Sequence, residues 1–294
     1  MKKISLLMPT RGRPKLAARF IQSVIDYSLD ISSIELVIYV DVDDLPSHSL
    51  LSNKLDISLI IGPRKTMGTY NTKCFEKATG DVIILVNDDM VIKTLNWDLK
   101  INELHNSIED QIYLAYGNDL FKGKSLCAFP ILSRKTCELL KKPYPIEYRG
   151  AFIDVHLFDI FKRLEKLGIN RTFYMEDIIF EHMHYRLGKA DMDQTYFDRG
   201  RFDDDQTFVG LTDFRMQNSV DLYKEITGQD VLLKGANISE ADSVSKYLVS
   251  ILICVTRNFL FDRNLPFRWR LHLWCVFIGR TFARLGFLRF LGIN

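Results

Sequence analysis

The sequence predicts an α/β protein: a Rossmann-like, mostly parallel sheet flanked by helices, with a helical, basic and aromatic C-terminal extension. Three observations lead there. Over residues 1–120, short apolar β-forming runs alternate with longer helix-like stretches, the pattern of a parallel sheet with crossover helices. The run Gly80-Asp81-Val82-Ile83-Ile84-Leu85-Val86-Asn87-Asp88-Asp89-Met90 reads as a strand covered on both faces that ends in adjacent carboxylates. Near Glu240 the composition shifts. From 246 to 294 there are seven arginines and one lysine against a single acid, Asp262, among many Phe and Trp residues.

In chain order, Ile4–Met8, Leu36–Val40, Ile57–Ile61, Val82–Val86 and Ile112–Tyr116 read as strands. Lys15–Tyr27, Met67–Ala78 and Trp97–Ser107 read as the intervening helices. Thr79-Gly80-Asp81 stops a helix before the next strand. Ser133–Lys141 begins with a capping serine and reads as a helix. Ala151–Leu167 is apolar at Phe152, Val155, Phe158, Phe161, Leu164 and Leu167, the pattern of an amphipathic helix ended by Gly168. Thr172–Met175 and Ile178–Phe180 read as strands, and the acidic stretch 198–218 as a mobile loop. A domain of 1–240 is expected, with halves of about 1–120 and 121–240, followed by a tail of 241–294.

Composition bounds the class. A chain of 294 residues with 47% hydrophobic and 26% charged residues is an ordinary globular one. The net charge of +2 argues neither for nor against nucleic acid in bulk, and none is expected as a partner. Five cysteines without a CxxC indicate neither a zinc ribbon nor a disulfide framework, and fit a reducing, cytoplasmic setting. The apolar run Ile4–Met8 is too short for a signal peptide, and no stretch reaches the roughly 18 apolar residues of a membrane span.

Adjacent carboxylates at a buried strand end are costly unless they meet a cation or solvent. Hard ions such as Mg²⁺ or Mn²⁺ take carboxylate oxygens and suit phosphate-bearing ligands, and the crevice beyond the carboxyl ends of such a sheet is the usual binding place. Other features fall in a fixed order around this one. Strand one ends in Pro9-Thr10-Arg11-Gly12-Arg13, and strand two in Val40-Asp41-Val42-Asp43-Asp44. A helix carries Gly68, Asn71 and Ala78 before Gly80-Asp81; Asn87-Asp88-Asp89 follows, then Glu181-His182-Met183-His184, Gly188-Lys189 and Asp191.

This ordered set resembles the GT-A glycosyltransferases, in particular the large inverting, family 2-like group that builds bacterial polysaccharides. The resemblance covers roughly residues 4–195. It implies a GT-A-type fold, a nucleotide-diphosphate sugar as donor, a divalent ion (Mn²⁺ or Mg²⁺) and a lipid-linked or polysaccharide acceptor. Its nucleotide-sugar half would be the first and its acceptor half the second. Three positions depart from the pattern: Asn87 replaces the first acid of the metal motif, Val42 follows Asp41, and no Glu-Asp pair precedes an Arg-x-x-x-Trp motif.

Residue roles follow. Asp89 is the expected metal ligand, with Asp88 beside it at the nucleotide. Of His182 and His184, which strand alternation points to opposite faces, His184 is expected to face the metal because the Gly188-Lys189 loop follows it. Lys189 would then meet the diphosphate, unless Glu181 pairs with it or with Arg186 as a surface ion pair. Thr10, Arg11 and Arg13 lie at the nucleotide; guanidinium groups bind phosphate bidentately or stack on a base. Asp41 would accept from uracil N3–H or a ribose hydroxyl, and Lys65 is a further nucleotide contact. Asp154, in the first turn of its helix, is the expected catalytic base, with Glu176 and Asp177 next in line.

The tail reads either as a surface element on anionic membrane, placing the protein on the inner face of the cell membrane, or as a helical hairpin packed on the rest of the chain or on a second copy in a homodimer. Two other functions stay open. A sugar nucleotidyltransferase would need a Gly-rich loop after strand one, where only Gly12 stands. A non-catalytic nucleotide-sugar-binding or scaffold protein would tolerate Asn87.

Overall fold

The computed structural model describes residues 1–190, 200, 202–233 and 248–286. It divides into two compact units, Met1–Phe158 with Arg171–Gly200, and Asp159–Asn170 with Arg201–Asn294. The helices of 204–227 fall in the second unit with those after 248.

The first unit is built on an eight-stranded sheet of order β3-β2-β1-β4-β7-β6-β8-β5. In chain order these are β1 (Ile4–Thr10), β2 (Ile34–Asp41), β3 (Asp56–Gly62), β4 (Val82–Leu85), β5 (Met90–Ile92), β6 (Leu114–Asn118), β7 (Ile131–Ser133) and β8 (Thr172–His182). The helices α1 (Pro14–Tyr27), α2 (Met67–Lys77), α3 (Trp97–Ser107), α4 (Arg134–Leu139) and the start of α5 (Ile153–Lys166) accompany them. The expected elements are present within a few residues.

The sheet is mostly parallel, as expected, but mixed rather than purely parallel. The block β3-β2-β1-β4 is parallel throughout, as is β6 with β8. β7 runs antiparallel to both β4 and β6, and β5 antiparallel to β8. β5 and β7 have three residues each, too short to show a period of two in the sequence. The expected strands Thr172–Met175 and Ile178–Phe180 are one strand, β8, with an irregularity opposite Gly117 and Asn118.

Every residue of β1 and β2 is buried, as a strand covered on both faces requires. Ile4, Leu6 and Met8 share one core with Leu36, Ile38, Val40, Phe20, Val24, Trp97 and Ile101. On the other face Tyr39 meets Tyr70 of α2, ring centroids 4.5 Å apart. Two glycines set how closely α2 and its exit turn pack. A Cβ on Gly68 would lie 1.9 Å from the carbonyl oxygen of Pro145, and one on Gly80 would lie 2.5 Å from Ser5 Oγ and 2.7 Å from the Lys3 carbonyl.

Glu35 of β2 fastens the turn into β4. Its carboxylate accepts from Ser5 Oγ (2.6 Å), Thr79 N (2.5 Å), Thr79 Oγ1 (2.9 Å) and Gly80 N (3.2 Å), and Lys3 Nζ lies 2.7 Å away. Burial pushes this carboxyl up, but Lys3, Ser5 and Thr79 outweigh it and hold the group down at about 2. The clasp secures the strand that delivers Asp88 and Asp89.

The second unit is helical among the described residues: the end of α5, α6 (Asp204–Gly210), α7 (Thr212–Thr227), α8 (Leu248–Val255) and α9 (Phe267–Arg284), with a π-helical turn Thr256–Leu260 before α9. The expected loop over 198–218 is corrected here. Residues from Asp204 onward are helix, with Asp204 and Asp205 in the first turn, where acids suit the helix dipole. Asp204 is buried and Asp205 Oδ1 accepts from Arg280 Nε (2.6 Å).

A buried charge network joins these helices. Asp159 Oδ2 accepts from Arg163 Nε (2.9 Å) and Arg215 Nε (2.7 Å), and Asp159 Oδ1 from Trp269 Nε1 (2.8 Å). Arg163 Nη2 also donates to Asp262 Oδ2 (2.8 Å), and Arg215 Nη1 to the Phe208 carbonyl (2.6 Å). Burial raises the Asp159 carboxyl, but the two guanidinium groups prevail and hold it at about 2. Removing any one partner from such a network would leave a buried charge uncompensated. No helix among the described residues is long and apolar enough to cross a membrane.

Candidate functional site

The site lies in the first unit, at the carboxyl ends of β1, β2 and β4. β1 ends at Thr10 and β4 at Leu85, so parallel pairing brings the Thr10–Arg13 loop beside Asp88 and Asp89. Thr10 Oγ1 donates to Asp88 Oδ2 (2.8 Å) and Arg13 Nη1 to Asp88 Oδ1 (3.1 Å). Arg13 Nη1 also lies 4.0 Å from Asp89 Oδ2. Both aspartates are buried. Burial, joined by the neighbouring Asp89, pushes the Asp88 carboxyl up to about 6 against the pull of Arg13 and Thr10. Among the described residues two buried acids meet one guanidinium here, and buried carboxylates side by side are costly unless a cation is near.

His182, not His184, is the histidine beside the carboxylates. Its Nε2 is 3.4 Å from Asp89 Oδ1. β8 pairs with β5 so that His182 opposes Met90, and Met183 N donates to the Asp89 carbonyl (2.8 Å). The strand ends at His182, so the alternation that assigned opposite faces to His182 and His184 does not continue. His184 stacks on Phe121 and Tyr185, centroids 5.5 Å and 4.5 Å away, and its Nδ1 accepts from Arg186 N (3.1 Å). Phe129 meets the His182 ring at 5.3 Å.

The other expected residues separate into groups. Arg11 and Asp41 meet at the end of β2: Arg11 Nη1 donates to Asp41 Oδ2 (2.7 Å), and both terminal nitrogens of Arg11 engage Asp43 (2.5 and 2.8 Å). Tyr70 Oη donates to Asp41 Oδ1 (2.7 Å) and accepts from Lys65 N (2.8 Å). Both Asp41 oxygens are thus engaged, and a nucleobase would have to compete with Arg11 or Tyr70 for them. The Lys65 side chain is exposed. Lys189 Nζ pairs with Glu181 Oε1 (2.7 Å), which is the ion-pair alternative. Asp191 lies outside the described residues.

Asp154 occupies the first turn of α5, as expected. Its carbonyl accepts from Cys127 Sγ (3.2 Å), two residues from the Phe129 that packs on His182. Phe152, just before the helix, holds a left-handed φ of +65°, a strained setting for a bulky side chain and one that clusters at functional positions. Glu176 and Asp177 lie exposed at the irregularity of β8, with Asp177 paired to Lys100.

Sequence reasoning passed over Asp119 and Phe121. Asp119 follows β6 and is buried; its Oδ1 accepts from the backbone N–H of Phe121 (3.1 Å), Lys122 (2.7 Å) and Gly123 (2.7 Å), and its carbonyl accepts from His182 N (3.0 Å). This cradle holds the loop whose Phe121 ring lies against His184. A signal was present, since Gly117-Asn118-Asp119 ends an apolar strand much as Val86-Asn87-Asp88 does.

Among the described residues no group of three or more His, Cys, Asp or Glu could hold a metal ion alone. The chain matches no family model and no curated protein. Among solved structures it is similar to the mannosyltransferase PcManGT from Pyrobaculum calidifontis, in complex with GDP-Man and Mn²⁺, at 9% identity over 91% of this chain and 87% of that one, with a TM-score of 0.48. It is similar also to S. aureus TarS 1–349 in complex with UDP-GlcNAc, at 14% identity over 97% and 92% of the two chains, with a TM-score of 0.47. What the site can do is therefore read from its own atoms.

Proposed function

We propose that this chain is a metal-dependent glycosyltransferase that moves a sugar from a nucleotide-diphosphate sugar to a hydroxyl of a lipid-linked or polysaccharide acceptor, with inversion at the anomeric carbon. One observation carries the reading: buried Asp88 and Asp89 at the carboxyl end of a parallel strand, with Thr10, Arg13 and His182 in reach. The order of motifs that resembles the GT-A group supports it.

The residues fit a divalent ion. Asp89 Oδ1 and His182 Nε2 stand 3.4 Å apart. Adjacent ligands on an ion with bonds of about 2.1 Å lie about 3 Å from each other. Two protein ligands suffice where substrate phosphate supplies others, as is usual for Mg²⁺. Bound there, the ion would act as a Lewis acid that neutralises the leaving diphosphate.

The chain's own groups supply the rest. Arg13, held at Asp88, would offer its guanidinium to the diphosphate. Asp154 takes the proton from the acceptor hydroxyl as that oxygen bonds to the anomeric carbon from the face opposite the leaving group. The bond from that carbon to the diphosphate oxygen breaks, and the nucleoside diphosphate leaves with the electron pair.

The test is a thermal-shift screen of UDP, GDP, dTDP and CMP carriers with and without Mn²⁺, followed by assay of nucleoside diphosphate released from any diphosphate sugar that binds, with binding confined to CMP carriers counting against the proposal. A metal-dependent shift with diphosphate release supports the proposal. Release of pyrophosphate from a nucleoside triphosphate would favour a nucleotidyltransferase. Binding without turnover against a range of acceptors would favour the non-catalytic reading.

A further inference from the structure

The second unit carries a surface that glycosyl transfer does not use. Thr256–Leu260 and α9 form a helical hairpin, tied by Trp274 Nε1 donating to Thr256 Oγ1 (3.0 Å) and by the Phe259 and Phe277 rings at 4.4 Å. Trp269, Leu273, Phe277 and Thr281 of α9, spaced by four, are buried. Its exposed side carries the apolar Phe267 and Leu271 beside Arg268 and His272. At the hairpin tip Phe261 and Phe267 are 67% and 62% exposed, and Leu271, one turn on from Phe267, is 41% exposed. Three exposed aromatic or branched side chains at one tip are more than scattered surface apolarity.

The stretch that carries them is basic. Arg263 and Arg268 are exposed. The single acid between 246 and 294, Asp262, sits between the two exposed phenylalanines in sequence but is turned inward. Its Oδ2 accepts from buried Arg163 (2.8 Å) and its Oδ1 from Asn264 N (3.0 Å), and it is 8% exposed. Internal pairing thus turns the one acid of residues 246–294 away from solvent. The tip is also held in shape: Arg270 Nη1 donates to the Leu260 carbonyl (3.3 Å) across the hairpin, with its guanidinium 5.4 Å from the Phe267 ring centroid.

We propose that the hairpin tip docks on an anionic lipid surface, with Phe261, Phe267 and Leu271 entering the interfacial layer and Arg263 and Arg268 meeting the headgroups. Charge complementarity selects this occupant. A second copy in a two-fold contact would set these arginines against themselves, whereas an anionic bilayer offers both apolar depth and negative charge. The proposal is independent of the chemistry at Asp89.

Flotation of the full chain with vesicles tests it, using phosphatidylcholine alone and phosphatidylcholine mixed with phosphatidylglycerol. The wild type should float with the anionic vesicles and stay behind with the neutral ones. Arg263→Gln with Arg268→Gln should weaken partitioning about 30-fold at low salt, at roughly a factor of five per charge. Phe261→Ser with Phe267→Ser and Leu271→Ser should abolish flotation at every salt concentration, with an unchanged melting profile. Should the triple variant fail to fold, the arginine pair, which alters only exposed side chains, still decides. Failure of the wild type to float, equal flotation with neutral vesicles, or undiminished flotation of the arginine variant overturns the proposal. So does a concentration-dependent dimer in sedimentation velocity that the arginine substitutions leave intact and the apolar ones split, which would assign the tip to a second copy.

Discussion

Glu35→Gln separates the charge of the Glu35 clasp from its shape. In the folded chain the carboxyl is held at about 2, from an ordinary 4.5. At about 1.4 kcal/mol for each pH unit, the difference amounts to roughly 3 kcal/mol. Because the folded value is depressed, that stability is present above about pH 4.5 and drains away as the pH falls toward 2. Glutamine keeps one acceptor oxygen and the length of the side chain but has no charge to lose. The variant should therefore be about 3 kcal/mol less stable than wild type at pH 7, a large share of a typical domain's stability. The gap should close steadily between pH 4.5 and 2.5. Denaturant titrations across this range measure it, with hydrogen exchange at the amides of β4 to report the strand that Glu35 secures. A gap that stays constant with pH, or no gap at pH 7, would refute the reasoning, because the Lys3, Ser5 and Thr79 contacts would then not favour the ionised form.

Three further outcomes follow from the geometry. His182→Ala should lose Mn²⁺-dependent nucleotide binding in calorimetry while His184→Ala retains it; the reverse result would return the role to His184. Asp154→Asn should lower kcat by a factor on the order of 10² or more with donor affinity near normal, and an unchanged kcat would remove Asp154 from the reaction. Gly68→Ala puts a methyl group 1.9 Å from the Pro145 carbonyl oxygen, so it should cost about 1–3 kcal/mol in a denaturant titration, and a neutral result would show that the segment of Pro145 yields freely.

The pattern of the chain determined much of this protein. The strand–helix alternation of the first 120 residues, the strand that leads to Asp88-Asp89 and the loop after β1 are local matters of period and punctuation, and they lie within a few residues of where the sequence placed them. So is Asp154 in the first turn of its helix. Tertiary structure decided the remainder. β7 enters antiparallel between β4 and β6 on three residues, too few to carry a period, and so the sheet is mixed. The acids at 203–205 look like a solvated loop until Arg280, distant in sequence, pairs with Asp205. Asp41 reads as open to a nucleobase until Tyr70, 29 residues away, and Arg11 engage its two oxygens. The histidine shows the reason most directly. A period of two gives alternate faces only while a strand lasts, and where β8 ends is fixed by its pairing with β5. That pairing sets His182 opposite Met90 and so beside Asp89, and sequence spacing alone does not contain it.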